Sequence, residues 1–336
     1  IANLENLYWI TENSGEWDQY YIQTSNIDAS STSAWDEGQG FTPMGNSSTK
    51  FTGFYNGDGY TINGLTINRP STNYIGLFGY TFGSTIKDLG VINVNIAGAD
   101  RTGGLAGKNI SSSVSNCYIT GSIIGGEYVG GLVGIADDSS AVSNCYSTSS
   151  VNGDDNNVGG LVGYNISSSV SNCYSTGSVV SSGGIRIGGL VGWSYGGSIS
   201  NCYSTGSVTG NSVGGIIGFG SGGYTVSGLF WNIDDFSTDN GIGTGITTME
   251  MMDAYTFCFA GWDFEEDENG NDNGTTGGTN GNGTDNWWDM VQDGNHYPVL
   301  SWQNGDTVLV IDLTNECLTD NGGCGDPTYN ICTNNI

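Results

Sequence analysis

The sequence predicts an all-β protein: a right-handed parallel β-solenoid with an N-terminal cap and an irregular C-terminal flank. One observation is a Gly-Leu-Val-Gly phrase that recurs with small variations, in steps of 28, 27, 29, 29 and 26 residues, around Leu77, Leu105, Leu132, Leu161, Leu190 and Ile216. A second phrase, Val-Ser-Asn-Cys-Tyr in three successive repeats and Ile-Ser-Asn-Cys-Tyr in the fourth, keeps a nearly constant distance from the first. Self-similarity at a period of roughly 20–50 residues marks stacked repeats, which bury their apolar faces against their neighbours.

The repeats themselves are predicted to consist of short strands. Stretches of Val, Ile and Leu alternate with Gly, Ser and Asn, and no helical periodicity occurs. Each repeat is then one coil, stacked about 4.8 Å from the next, which is the spacing of hydrogen-bonded strands. Parallel crossovers are almost always right-handed, and this rule gives the predicted winding.

The ends of the chain are predicted to differ from the repeats. Residues 1–48 do not repeat and begin with an amphipathic helix, so we expect them to cap the open edge of the first coil. The solenoid occupies residues 49–245. A closing segment with a Gly/Asn/Asp-rich loop follows at 246–306, and a linker strand leads into the tail at 307–336.

Each coil needs corners, and two sites in the repeat are candidates. One is the Gly-Gly pair before each Leu, and the other is the Asn before each Cys. Val114 and Cys117 are three residues apart, so both side chains face inward only if the chain bends between them. Asn116 lies at that bend and tolerates the left-handed conformation that a bend requires. Its counterparts in later coils are placed to stack as an amide ladder.

The same alternation places cysteine inside the coil and the following tyrosine outside. The inward column consists of Cys117, Cys145, Cys173 and Cys202. As buried thiols they need no partner, whereas a disulfide between neighbouring coils has an allowed Cα separation but strained side-chain geometry. Both states stay open, and so does the opposite parity, with tyrosine in the core and cysteine outside.

The charge of the chain excludes several classes of partner. There are 34 acidic and 6 basic residues, for a formal net charge of −28. Nucleic acids and anionic lipid surfaces are disfavoured, because both require clustered Lys and Arg. No apolar run approaches the length of a membrane span.

Catalysis has little support in the sequence, and we predict that the protein is not an enzyme. The single histidine, His296, lies next to Tyr297-Pro298 and is expected to be structural. The six basic residues are widely separated, so a cluster of them is not expected; they are Lys50, Arg69, Lys87, Arg101, Lys108 and Arg186. The alternative is a carbohydrate-active enzyme or a carbohydrate-binding β-helix, since a glycosidase needs only two suitably spaced carboxylates.

Calcium is the cofactor that the acidic composition suggests. Asp267, Asn269 and Asn271 place oxygen ligands at alternate positions, as at the start of an EF-hand loop. The glycine follows two positions late and no Glu closes the loop, so a solvated loop is the competing interpretation.

The Gly-Leu-Val-Gly phrase with its Asn-Cys-Tyr-Ser-Thr-Gly-Ser-Val partner resembles the GLUG-motif repeats of bacterial surface and secreted proteins. The entry segment, Phe51-Thr-Gly-Phe-Tyr-Asn-Gly-Asp-Gly-Tyr-Thr-Ile62, and the closing Tyr297-Pro-Val-Leu-Ser-Trp302 look like the flanks of such repeats. The resemblance implies a β-helical, extracellular module of the adhesin or scaffold type. It transfers no catalytic residues.

The tail resembles the opening of a calcium-binding EGF-like module. Cys317, Cys324 and Cys332 would be three of its six framework cysteines. The resemblance implies a Cys317–Cys332 disulfide, and calcium ligands at Asp312 and Glu316. Asp312 lies one residue further from the first cysteine than in the usual pattern, which puts its role as a ligand in doubt.

These observations together predict a non-catalytic extracellular protein with a structural or adhesive role at the cell surface. The expected partners are a carbohydrate, another surface protein, or further copies of the chain assembled into a filament. The predicted binding stripe consists of Tyr118, Tyr146, Tyr174, Tyr203, Tyr164 and Trp193.

Overall fold

The chain divides into two compact units, Ile1–Gly245 and Ile246–Ile336. The computed structural model describes residues 1–235, 240–252, 256, 257, 260, 262, 288, 289, 297–300 and 303. The first unit is a parallel β-solenoid with few helices, so the predicted fold class is confirmed.

Three parallel sheets run along the first unit, and successive strands of a sheet come from successive coils. The largest sheet has 16 strands: Tyr20–Ile22, Ile27–Asp28, Phe54–Asn56, Thr61–Asn63, Thr66–Asn68, Thr85–Ala97, Ser113–Gly125, Ala141–Ser143, Tyr146–Ser147, Ser150–Gly153, Ser169–Ser175, Val179–Ser181, Ser198–Ser204, Val208–Thr209, Thr225–Asn232 and Thr244–Ile246. The six-stranded sheet contains Phe78–Phe82, Ala106–Ile110, Val133–Asp137, Val162–Ile166, Val191–Tyr195 and Ile217–Ser221. The five-stranded sheet contains Thr102–Gly103, Val129–Gly130, Val158–Gly159, Ile185–Gly188 and Ser212–Gly214.

The N-terminal cap contains the predicted helix, which spans Leu4–Glu12. The side chain of Asn3 accepts a hydrogen bond from the Asn6 amide at 2.9 Å and so caps the first turn. Leu7 and Ile10 point from the helix into the core of the solenoid. Three short 3₁₀ helices complete the cap: Ser14–Glu16, Ser30–Ala34 and Asp36–Gly38.

One corner of each coil lies at the predicted asparagine. Val114 and Cys117 are both fully buried, and Asn116 between them has a φ of 51°. The left-handed conformation recurs in register at Asp88, Asn116, Asn144, Asn172, Asn201 and Gly228. The predicted bend is therefore confirmed.

The predicted amide ladder along this corner is incomplete. Asn116 Nδ2 donates to Asp88 Oδ1 at 2.8 Å. Further along, the buried Oδ1 atoms of Asn144 and Asn172 accept no hydrogen bond. Asparagine is thus present at these corners for its tolerance of positive φ more than for a continuous ladder.

The Gly-Gly pair forms the other predicted corner, and glycine is required there because no space is left for a Cβ atom. A Cβ on Gly131 would lie 2.1 Å from the Gly160 carbonyl oxygen and 2.2 Å from Ser147 Oγ. Its neighbour Gly130 has as little room, because a Cβ would lie 2.0 Å from the Val133 carbonyl oxygen. The backbone of one coil thus lies directly against the next coil and against an inward serine.

The cysteine column lies in the core, as predicted, and all four thiols are free and buried. Cys145 Sγ is 3.0 Å from the Ser143 carbonyl oxygen, which is its nearest acceptor. The same contact to the carbonyl two residues earlier occurs in the other three coils. The opposite parity, with cysteine outside, is therefore wrong.

The second unit contains a short helix, Thr248–Met251. Thr247 and Glu250 form a capping box at its first turn. Two short antiparallel strands, Trp288–Asp289 and Val299–Leu300, pair in the same unit.

Candidate functional site: a cation–aromatic face

The four predicted tyrosines form one continuous stack on the largest sheet. In-register parallel pairing places each ring above the previous one, with centroids 4.8, 4.8 and 4.9 Å apart along Tyr118, Tyr146, Tyr174 and Tyr203. Phe230 follows in register. The first two rings are partly exposed, whereas Tyr174 and Tyr203 are only 5% and 1% exposed. A binding role for this stack stays a prediction.

The other two members of the predicted stripe lie on a different sheet. Tyr164 and Trp193 are neighbours in the six-stranded sheet, with ring centroids 4.2 Å apart and planes within 10°. The residues expected to form one stripe therefore belong to two separate columns. The full column of the six-stranded sheet is Tyr80, Lys108, Ile135, Tyr164, Trp193 and Phe219.

A third column, which sequence reasoning missed, lies beside that one. In four coils it consists of the residue two positions before the Gly-Gly corner: Arg101, Tyr128, Asn157 and Arg186. Tyr74 is its counterpart in the first coil, where the next residue, Ile75, pairs with Thr102. Every member has a positive φ between 61° and 67°. Positive φ is unusual for bulky side chains, and here each coil holds its neighbour in this conformation through backbone hydrogen bonds. The fixed offset from the glycines was the available signal.

The two columns touch through their aromatic rings. Tyr74 and Tyr80 have ring centroids 5.0 Å apart, and those of Tyr128 and Tyr164 are 5.6 Å apart. Beyond Trp193, the ring of Phe219 continues the surface at a centroid distance of 6.4 Å. The rings therefore form two groups, Tyr74 with Tyr80 and Tyr128 with Tyr164, Trp193 and Phe219, and the coil that carries Arg101 and Lys108 lies between them.

Basic side chains cover the rings of this surface. The Arg101 guanidinium lies 5.2 Å from the Tyr74 centroid and 5.5 Å from that of Tyr128. The ammonium groups of Lys50 and Lys108 lie 5.3 and 5.8 Å from the ring of Tyr80. These are distances at which a cation is attracted to an aromatic face.

Arg186 makes the closest of these contacts. Its guanidinium lies 4.2 Å from the Trp193 ring and 5.4 Å from that of Phe219. Four of the six basic residues thus lie on one face, so the expectation that they are scattered is wrong. Coil stacking brings together residues that are far apart in sequence. We call this surface the cation–aromatic face, defined by Lys50, Tyr74, Tyr80, Arg101, Lys108, Tyr128, Tyr164, Arg186, Trp193 and Phe219.

The charge of the face changes along its length. Lys108 pairs with Asp137 at 3.0 Å, and Arg101 lies 4.0 Å from Asp100. Arg186, by contrast, makes no ion pair within the part of the chain that the structure describes. Lys50, at the other end of the face, also makes no ion pair among the described residues, so an unpaired cation lies at each end and the paired charges lie between them.

Burial also sets the ionisation of the phenols here. Desolvation, reinforced by nearby Tyr128, raises the pKa of Tyr164 to about 12. Burial and then the charge of Glu127 raise the pKa of Tyr128. Both phenols remain neutral at physiological pH, so the positive charge comes from the Arg and Lys side chains alone.

The other predicted sites are less informative. The candidate calcium ligands and the proposed disulfide lie outside the described residues, at Asp267, Asn269, Asn271, Asp312, Glu316, Cys317 and Cys332. Among the residues that are described, no three His, Cys, Asp or Glu side chains converge as a metal site would require. The helices in the described ranges are too short and polar to cross a membrane.

Comparison with known sequences identifies the repeats. The model of the GLUG motif matches four consecutive segments, residues 98–124, 125–152, 154–180 and 183–209. The four central coils are GLUG repeats. Each matched segment contributes one residue to the column that contains Arg101, Tyr128, Asn157 and Arg186. The residue in this column is Arg, Tyr, Asn and Arg in the four repeats. The GLUG repeat therefore determines where the side chain lies, and the sequence of each repeat determines which side chain it is.

Two curated relatives match parts of this chain. Halomucin of Haloquadratum walsbyi is 34% identical over 143 residues, which is 41% of this chain. A Gly-rich protein of Evansella cellulosilytica, whose name assigns it to the membrane, is 52% identical over 42 residues, or 12% of this chain. The matched regions span only 2% and 5% of the length of these relatives.

A solved structure shares the fold over nearly the whole chain. It is a Bacteroides ovatus protein described as an immunoglobulin A1 protease, with a TM-score of 0.56 and 17% sequence identity. The alignment covers 90% of this chain and 91% of that one. At this identity the likeness concerns the fold alone and carries no information on activity.

Proposed function

We propose that this chain is a non-catalytic, extracellular structural and adhesive module, a GLUG solenoid that displays side-chain columns to a partner. The observation that carries the proposal is the in-register stacking, which turns single residues of each coil into a continuous outer surface. The cation–aromatic face is the clearest example, with rings and guanidinium groups at 4.2–5.6 Å from one another. A rigid coil holds such a surface without the entropic cost of ordering it.

The placement of reactive groups supports a role without catalysis. Two of the basic residues are held in ion pairs away from the face, Arg69 with Asp36 and Lys87 with Asp88, each at 2.8 Å. The thiols are buried in the core, and burial raises the pKa of Cys145 and Cys202 well above the ordinary value. A thiol that is buried out of reach of a substrate is unsuited to nucleophilic attack.

Charge and similarity support an extracellular location. A net charge of −28 with only six basic residues favours solubility and repels nucleic acid and anionic lipid surfaces. One relative carries a name that assigns it to the membrane.

The N-terminal helix covers the first coil with Leu7 and Ile10, which favours a separate partner over end-to-end association at that side.

A turnover assay tests the absence of catalysis. The full chain is incubated with neutral polysaccharides, acidic polysaccharides and immunoglobulin A1, while new reducing ends and new amino termini are measured. We expect no release above that of a heat-denatured sample. Turnover of any of these substrates would contradict the proposal and show that the protein is an enzyme. Turnover of a polysaccharide would favour the carbohydrate-active alternative.

Antibody labelling tests the location. Cells that produce the protein are labelled intact and after permeabilisation. Equal labelling in both conditions is expected of a surface module. Labelling that requires permeabilisation contradicts the proposal.

A further inference from the structure

We propose that the cysteine column binds soft monovalent metal ions, Cu(I) or Ag(I), with one ion held between each pair of neighbouring thiols. The column consists of four free cysteines, Cys117, Cys145, Cys173 and Cys202. The inference goes beyond the display function and does not depend on it. Three features carry it: the equivalent placement of the sulfur atoms, the distance between them, and the charge of the loaded column.

The four sulfur atoms occupy equivalent positions in successive coils. Cys173 pairs in register with Cys202, and the residues on either side of Cys145 pair with those around Cys117 and Cys173. Every Sγ lies 3.0–3.1 Å from the carbonyl oxygen two residues earlier and 3.7–3.9 Å from a carbonyl oxygen of the preceding coil. The side chains therefore share one orientation, and their sulfur atoms form a row along the stack.

The spacing of this row suits an ion with two ligands in a line. Neighbouring coils, and hence neighbouring sulfur atoms, are about 4.8 Å apart. Bonds between a thiolate and an ion such as zinc are about 2.3 Å long, so two of them in line span about 4.6 Å. A disulfide needs sulfur atoms about 2.05 Å apart, which requires the coils to move together. Cu(I) and Ag(I) accept two ligands in a line, and soft ions of this kind prefer thiolates.

The row disfavours ions that need more ligands. Zinc takes four ligands that converge on one point, whereas a point between two coils has cysteine sulfur only on its two sides. Among the described residues, no group of three His, Cys, Asp or Glu side chains converges. The row ends at the buried Leu89 and Leu229, which pair with Cys117 and Cys202. The column therefore offers three two-coordinate positions in line, between apolar ends.

The loaded column is electrically neutral, as an apolar core requires. Each monovalent ion forms bonds to the two sulfur atoms beside it and displaces one thiol proton, which leaves to solvent. Three ions thus replace three protons, and the fourth thiol keeps its own. No electron is transferred, so the step needs neither oxidant nor reductant. The bound ions link four coils through their side chains and so stabilise the folded stack.

Counting bound Ag(I) by native mass spectrometry tests the proposal. The full chain carries serine in place of the four cysteines that lie outside the described residues, Cys258, Cys317, Cys324 and Cys332. Because the column is fully buried, the protein is unfolded in urea and refolded with silver nitrate in chloride-free buffer. We expect three ions per chain, and X-ray absorption should find two sulfur neighbours around each silver ion.

Substitutions within the column test the sharing of each ion between two thiols. Cys202→Ser removes the last position and should leave two ions. Cys145→Ser interrupts the row, so that only Cys173 and Cys202 still hold an ion between them, and one ion should remain. Val142→Ala is the matched control, because it creates a cavity in the same core without removing a thiol, and it should keep three ions.

Any series of counts other than three, two and one overturns the arrangement. If each thiol binds an ion by itself, the intact column and the two serine variants hold four, three and three ions. If the refolded chain binds no silver, the thiols act only as small apolar side chains of the core. Cooperative urea unfolding of each metal-free variant shows that it has folded, and the count for Cys202→Ser decides the test if Cys145→Ser does not fold. The display function is judged separately by turnover and surface labelling, so the two failures are distinguishable.

Discussion

The inward cysteines and the corner asparagines show how much a single residue position determines in a repeated coil. Cys145 and the preceding Val142 are both fully buried because Asn144, with a φ of 53°, turns the chain between them. This arrangement followed from the sequence, since alternation alone cannot place two residues three apart on one face. The local signal was sufficient because every contact involved lies within one coil or its neighbour.

Two other residue-level features did not follow from the sequence. The low exposure of Tyr174 and Tyr203 depends on what covers the outside of the coil, which alternation along a strand does not encode. The column that ends at Arg186 was missed because its residue type changes from coil to coil. Its members share a backbone conformation and a position, while sequence reasoning looked for a shared identity.

The buried thiols make stability sensitive to alkaline pH. Burial raises the pKa of Cys145 and Cys202 in the folded chain, whereas an unfolded thiol ionises near about 8.5. Above that pH Cys145 and Cys202 keep protons that the unfolded chain releases. Between them, hydrogen bonds with Cys145 and Cys202 outweigh burial and lower the pKa of Cys173, which contributes in the opposite sense. With two thiols raised and one lowered, the free energy of unfolding should fall as pH rises. Each unit by which the pKa is raised is worth about 1.4 kcal/mol once the pH exceeds both values.

Urea unfolding midpoints between about pH 7 and 9.5 measure this effect, below the range in which ordinary tyrosines ionise. The midpoint should be constant up to about pH 8 and then decline. Cys145→Ala should decline less steeply, although its midpoint is lower throughout because of the cavity. A flat profile would mean that Cys145 and Cys202 do not keep their protons in the folded chain beyond the pH at which an unfolded thiol ionises.

At the scale of the element, the Gly-Gly corner determines how closely coils approach. The sequence predicted a corner at this place, but the reason differs from the one that applies at asparagine. Gly130 and Gly131 lack room for a Cβ, whereas Asn116 needs a left-handed backbone. Only the three-dimensional arrangement shows that an inward serine and the neighbouring coil compete for the same space.

Gly131→Ala should therefore destabilise the solenoid by about 1–3 kcal/mol, the usual cost of inserting a methyl group into a filled core. The new Cβ would collide with the Gly160 carbonyl oxygen and with Ser147 Oγ. Gly15→Ala is the control, since no atom lies within 4 Å of its Cβ position. Chemical unfolding of both variants gives the comparison, and equal stability would refute the steric explanation.

At the scale of the whole molecule, the fold could be predicted because the sequence repeats with a period of about one coil. Parallel stacking repeats the same contacts coil after coil, and a six-stranded sheet with one strand per coil follows directly. The candidate site was only half predictable. Tyr164 and Trp193 were identified, while the four basic residues were judged scattered, since stacking converts distance along the chain into proximity on a face.

The imbalance of charge predicts a strong dependence of stability on salt. With 34 acidic and 6 basic residues, the folded chain repels itself, and only four ion pairs form in the described residues. Raising NaCl from about 10 mM to about 1 M shortens the Debye length from about 30 Å to about 3 Å, so the unfolding midpoint should rise. Near pH 4 many carboxylates are protonated and the rise should shrink. A midpoint that salt does not move at pH 7 would contradict this account.

The in-register stacking has a consequence for how such a chain changes over generations. Val129, Val158 and Ile187 stay paired although 29 residues separate each from the next, while Val142 and Val170 pair across 28. One extra residue lies between Gly153 and Val158 and another between Ser181 and Ile187, in each case after the strand that ends at Gly153 or Ser181. Gene segments that encode one coil can therefore be duplicated or lost without disturbing the coils on either side. Recombination that adds or removes whole coils therefore changes the length of the solenoid, and with it the length of the surface that it displays, in steps of one coil.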